Sequence, residues 1–106
     1  MRKEILLLIL CAAILSFFAS LSAGDAQARN LFISKCGQCH KTGGKAPTFA
    51  PTKYAAKQWE RFFSRNKHQR KEDISGKVTQ KELDIIEKYL INHAADSSQP
   101  EAAGLK

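Results

Sequence analysis

Apolar and polar positions divide the chain into two regimes. Residues Ile5 to Leu21 are almost continuously apolar, broken mainly by Ser16 and Ser20. From Arg29 onward, apolar residues instead recur at helical spacing. Leu31 and Phe32 stand one turn before Cys36, and Phe32 and Cys36 are an i,i+4 pair, which predicts a helix over about 29–36. Trp59, Phe62 and Phe63 form the apolar side of a second helix over about 53–67. Thr79-Gln80-Lys81-Glu82 is a capping box, with Thr79 at N-cap and Glu82 at N3. Leu83, Ile86, Leu90 and Ile91 follow it at helical spacing and define a third helix. Residues 42–52 hold Gly43, Gly44, Pro47 and Pro51 and read as a loop. No run alternates like a strand and no internal repeat is visible. The pattern predicts a small all-α domain.

The apolar run is expected to lie outside that domain. Arg2 and Lys3 precede it, and Ser22-Ala23-Gly24-Asp25-Ala26-Gln27-Ala28 follows it. A basic start, an apolar stretch and an A-x-A-like site describe a secretory leader. Ala26-Gln27-Ala28 fits the cleavage pattern best, and a cut after Ala23 is the second choice. The competing reading is an uncleaved anchor, but roughly 17 residues fall short of the about 20 needed to span a bilayer. The expected organisation is a cleaved leader over 1–28, a domain over 29–96 and a C-terminal tail over 97–106. The tail is poor in apolar anchors and is either loose or draped over the domain.

Composition changes the picture in two respects. The 106 residues leave room for one domain, and 17 Lys and Arg face 10 Asp and Glu, for a net charge of +7. Removing residues 1–28 takes away Arg2, Lys3, Glu4 and Asp25, so the net charge is unchanged on a shorter chain. Such a charge is either a solvated surface or a steering field for acidic partners. Export argues against nucleic acid as the partner. The leader also takes Cys11, which leaves two cysteines, Cys36 and Cys39.

Those two cysteines carry the chemistry. Cys36-Gly37-Gln38-Cys39-His40 is C-x-x-C-H, the pattern of covalent c-type haem attachment. Two thiols add to the two haem vinyl groups as thioethers. The two-residue spacing lets both sulfurs reach one porphyrin edge, and the next histidine falls beneath the iron. A disulfide is the alternative in an oxidising compartment. A thioredoxin-like pair would want a βαβ context, and a zinc site would want about four ligands, with only His68 and His93 left to help. One haem c, held by Cys36 and Cys39 with His40 as proximal ligand, is the expectation.

Opposite His40, the sixth ligand is open. The lone methionine is Met1, in the leader, so methionine is excluded from the mature chain. The candidates are His68, His93, a lysine or no residue. His68 is preferred, because twenty-eight residues separate it from His40 and let the chain cross the other haem face. His93 stands near the end of the third helix, where a histidine caps the last carbonyls. The ordinary alternative for His68 is a surface histidine among polar neighbours. A ligating histidine usually donates its second N–H to a carbonyl. Pro47 is the favoured acceptor for His40. Phe32, Pro47, Trp59 and Phe63 are the expected haem-packing residues. A chain this short has little apolar area for stability alone, so the mature chain is expected to be largely unfolded without haem.

From Cys36 to Asp96 the chain resembles the DHC-type dihaem cytochrome c family, small exported electron carriers. The matching pieces are Cys36-Gly37-Gln38-Cys39-His40, the proline-bearing loop, Trp59 at the head of an aromatic helix, His68, Ile86 with Tyr89-Leu90, and Ala94-Ala95-Asp96. The resemblance implies a distal haem-ligand role for His68. The chain departs from the family in holding one C-x-x-C-H, and in placing Gln69 and Arg70 after His68 where the family has an apolar residue and glycine. The order helix, C-x-x-C-H, loop, helix also looks like class I cytochrome c organisation, a small helical domain wrapped around one covalent haem.

The functional expectation is a periplasmic one-electron carrier, bis-histidine and of low potential, and not an enzyme. It would act as a monomer with no stable membrane insertion after leader cleavage, and would meet redox proteins through their acidic docking surfaces. The alternative is a haem protein that binds or senses a small gas at an open or displaceable distal position.

Overall fold

The computed structural model describes residues 24–106. The apolar run of the expected leader, and with it Cys11, lies outside the described residues.

The described chain is mainly helical, without strands. Helix α1 covers residues 24–36, α2 Ala56–Ser64, α3 Lys67–Lys71 and α4 Gln80–Asn92, with a single 3-10 turn at Pro51–Lys53. None of these is long and apolar enough to cross a membrane. Residues 24–28, in the stretch read from sequence as leader, are therefore already helical, ahead of the predicted 29–36.

The predicted second helix over 53–67 is divided. Pro51 opens the 3-10 turn, and Tyr54 and Ala55 are extended before α2 begins. At the other end Asn66 adopts the left-handed conformation, φ 49° and ψ 43°, and stops the helix. Asparagine enters this region more readily than most side chains. The chain then restarts as α3 in a new direction, with His68 inside it.

α4 forms as the pattern predicts. The Thr79 hydroxyl accepts the Glu82 N–H at 3.1 Å, and the Glu82 carboxylate accepts the Thr79 N–H at 3.0 Å. Two otherwise orphaned N-terminal donors are thereby satisfied. Ile86 and Leu90 on its apolar stripe are each 1% exposed. α2 packs on α4 through Trp59, whose indole N–H donates to the Pro51 carbonyl at 2.8 Å.

The core joins Phe32 of α1, Trp59 of α2, Val78, and Ile86, Tyr89 and Leu90 of α4. Ala94 and Leu105 complete it. Residues 97–106 are thus draped over the domain and fastened to it. The Leu105 N–H donates to the Phe49 carbonyl, and the Glu101 N–H donates to the His93 carbonyl. A Cβ at Gly104 would run into the Phe49 carbonyl, so the close approach of the two strands of chain requires glycine there. Asp96 serves as a remote cap: its Oδ1 accepts the Ala56 N–H at 2.8 Å.

Candidate functional site

Cys36 closes α1, and the chain turns at once. The Gly37 N–H still donates to the Ile33 carbonyl, and a Cβ at residue 37 would collide with that same oxygen. Glycine is what lets the helix end this tightly. The Cys39 and His40 N–H groups both donate to the Cys36 carbonyl, at 3.3 and 2.9 Å. Cys36, Cys39 and His40 are thus held around one turn of backbone. Both cysteines are free thiols and half-buried. Burial pushes the Cys36 thiol up to about 12. An exposed redox pair would need the opposite shift. The Lys77 ammonium lies 3.9 Å from the Cys39 sulfur.

After His40 the loop doubles back. The Gly44 N–H donates to the Lys41 carbonyl, and the Ala46 N–H donates to the Cys39 carbonyl. This brings the Pro47 carbonyl within 2.7 Å of His40 Nδ1, the hydrogen bond anticipated from the loop composition. Pro47 itself is exposed, so its carbonyl is the part that touches the site.

His68 approaches from α3. Its ring centroid lies 6.3 Å from that of His40, with the planes inclined at 71°. Its Nδ1 lies 3.1 Å from the Glu72 carbonyl, one turn further along. A carbonyl only accepts, so Nδ1 donates in both rings and Nε2 is the nitrogen left for a metal. Both imidazoles are therefore held in the tautomer a metal ligand requires, by the second hydrogen bond that ligating histidines usually make.

This geometry bears on the expected haem. With ring centres 6.3 Å apart, His40 and His68 are close enough for both to hold one iron, were a haem bound between them. Among the described residues no three His, Cys, Asp or Glu side chains gather as a bare metal site. The zinc alternative therefore has no ligand set there.

His93 is engaged elsewhere. It caps α4, is 8% exposed, and lies remote from the loop around His40 in its bonding. Its Nδ1 is 2.7 Å from the Gln99 carbonyl and its Nε2 is 2.9 Å from Asp25 Oδ1. Both partners are acceptors, so both ring nitrogens donate and the ring is an imidazolium with no lone pair to offer. Burial alone would lower its proton affinity. The Asp25 and Gln99 hydrogen bonds, with the charges of Asp25 and Glu101, outweigh burial and raise it above the ordinary value.

The predicted packing residues divide. Phe32 is 2% exposed and meets Phe49 at 5.4 Å and Tyr89 at 5.6 Å between centroids. Trp59 is 3% exposed, and Phe63 packs at the core's edge. Two aromatic residues next to the site were not singled out for it from sequence. Phe49 stands edge-on to His40 at 4.8 Å, and Phe62 edge-on to His68 at 6.5 Å. The signal for Phe49 was present, the lone aromatic residue in a loop otherwise of small, proline and polar residues.

Beside His68 lies a cleft of about 470 Å³ between α2 and α3. Arg61, Arg65, Lys67 and Lys71 line it together with Tyr54 and Phe62. None of these four cations is paired with a carboxylate among the described residues.

No family model, curated protein or solved structure matches the chain.

Proposed function

We propose that the protein is an exported one-electron carrier that holds one c-type haem. Cys36 and Cys39 would bind it as thioethers, His40 would be the proximal ligand and His68 the distal one. The single observation that carries this reading is the His40–His68 pair: one ring closes a C-x-x-C-H motif, the other stands 6.3 Å from it between centroids, and both Nδ1 atoms are tied to backbone carbonyls. When bound, the haem supplies a ferric–ferrous couple, and two imidazoles set it lower than a His/Met pair would.

The chain's own residues then have separable tasks. Pro47 and Glu72 orient the two rings through their carbonyls. Phe49 and Phe62 pack edge-on against the two rings. The resemblance to DHC-type cytochromes implies the same distal role for His68. The unpaired cations around the cleft support an acidic redox partner, steered by charge and held weakly. The periplasm is the proposed location, and the working form a monomer.

The test is the electron paramagnetic resonance spectrum of the ferric mature protein. A low-spin signal typical of two imidazoles supports the carrier. A high-spin signal refutes bis-histidine ligation. One observation favours the second reading, a gas-binding haem protein: α3 is five residues long and buries none of them. Rapid carbon monoxide binding to the ferrous protein, with His68 displaced, would select that reading.

A further inference from the structure

The Asp25–His93 pair bears on where the leader ends. α1 runs without a break from 24 through Ala28 to Cys36, and Ala28 packs against the core. Asp25 reaches across to His93, which is 8% exposed and presents a second N–H that only Asp25 accepts. A cut after Ala28 would remove this carboxylate and helical residues 24–28. It would strip His93 Nε2 of its partner and give up a hydrogen bond made at a nearly buried ring. A cut after Ala23 keeps both. Ser22-Ala23 also offers small residues directly behind the apolar run, where a leader is cleaved.

We infer that the leader is removed after Ala23, so that the mature chain begins at Gly24 and keeps Asp25 as the fixed partner of His93. This rests on the export reading. It makes the segment 24–28 part of the domain rather than of the leader, and it makes the contact between α1 and the end of α4 a built feature of the mature protein.

The test starts from the whole precursor, produced in a bacterial host that carries haem-attachment machinery and recovered from the periplasm. N-terminal sequencing and intact mass are expected to show one chain starting at Gly24. A start at Arg29 overturns the inference and leaves export standing. A chain still beginning at Met1 overturns the export reading as well. The haem increment in the same mass spectrum reports on haem attachment separately. A second measurement uses Asp25→Asn. The variant is expected to be cut at the same bond, to melt several degrees lower, and to show the His93 ring titrating at lower pH by NMR. An unchanged His93 titration would show that Asp25 is not its partner and would overturn the structural half of the inference.

Discussion

Asp96 closes the N-terminus of α2 from forty residues away, its Oδ1 accepting the Ala56 N–H at 2.8 Å. Ala55, the residue at the N-cap itself, has no side-chain oxygen to do so. The helix that carries Trp59 and Phe62 therefore depends on the chain folding back after α4. Asp96→Ala is expected to cost about 0.5–2 kcal/mol, the range for loss of a helix cap. Asp96→Asn should recover most of it, since the amide oxygen can accept the same bond. Denaturant unfolding of the two variants beside the parent checks this. Equal stability of Asp96→Ala and parent would mean the cap contributes nothing.

His68 and His93 are expected to separate cleanly. Replacing His68 with alanine should turn a low-spin ferric spectrum into a mixed or high-spin one and open the iron to carbon monoxide. His93→Ala should leave the spectrum unchanged and lower the melting temperature, because it removes a buried imidazolium bound to Asp25 and Gln99. The reverse pattern would exchange the roles of the two residues.

Stability should fall as pH rises from neutral. Burial works against the charged form of His93, but its hydrogen bonds to Asp25 and Gln99 win, and its folded value stands above the ordinary 6.5. A group raised in the folded state contributes fully below its unfolded value, and that contribution is lost as pH rises through the folded value. Glu82 has the opposite sign. The Thr79 N–H holds its carboxyl below the ordinary 4.5, so its contribution is present above that value and lost as pH falls. Both act together between 4.5 and 6.5, where the thermal midpoint is expected to be highest. Asp25→Asn should flatten the decline on the alkaline side.

The packing around Phe32 should be costly to disturb. Its ring is 2% exposed and touches aromatic residues from the loop and from α4. Phe32→Ala is expected to cost about 3–5 kcal/mol, and Leu105→Ala about 2 kcal/mol. In a domain of this size each kcal/mol lowers the melting temperature by about 4–8 °C. Calorimetry of the holoprotein reads both. A silent Leu105→Ala would mean that residues 97–106 add no packing energy.

Neutralising Arg61, Arg65, Lys67 and Lys71 together should slow electron transfer with an acidic partner at low ionic strength and flatten its salt dependence. Stopped-flow rates across a salt series check this. An unaltered slope would move the docking face elsewhere.

Much of this molecule was readable from local pattern. The Thr79–Glu82 box and the Ile86–Leu90 stripe involve residues three or four apart, so backbone geometry alone brings them together. The same holds for the Cys36–His40 turn and for the Pro47 carbonyl, seven residues from the ring it holds. What escaped was set by contacts between distant segments. The chain could not disclose that Asn66 would turn left-handed and deliver His68 on a separate helix. Nor could it disclose that Asp25 would claim His93, or that Leu105 would enter the core.

The two histidines show the division most plainly. By sequence, spacing from His40 favours His68 as a ligand and a place at the end of the third helix makes His93 a cap, but neither signal shows what each ring nitrogen meets. Tertiary structure gives one ring carbonyl-only support at Nδ1 and a free Nε2, and gives the other acceptors on both nitrogens. The composition of the chain determined which groups could bind. Only the packing of α1 and α3 decided which of them keeps a ring nitrogen clear of other partners.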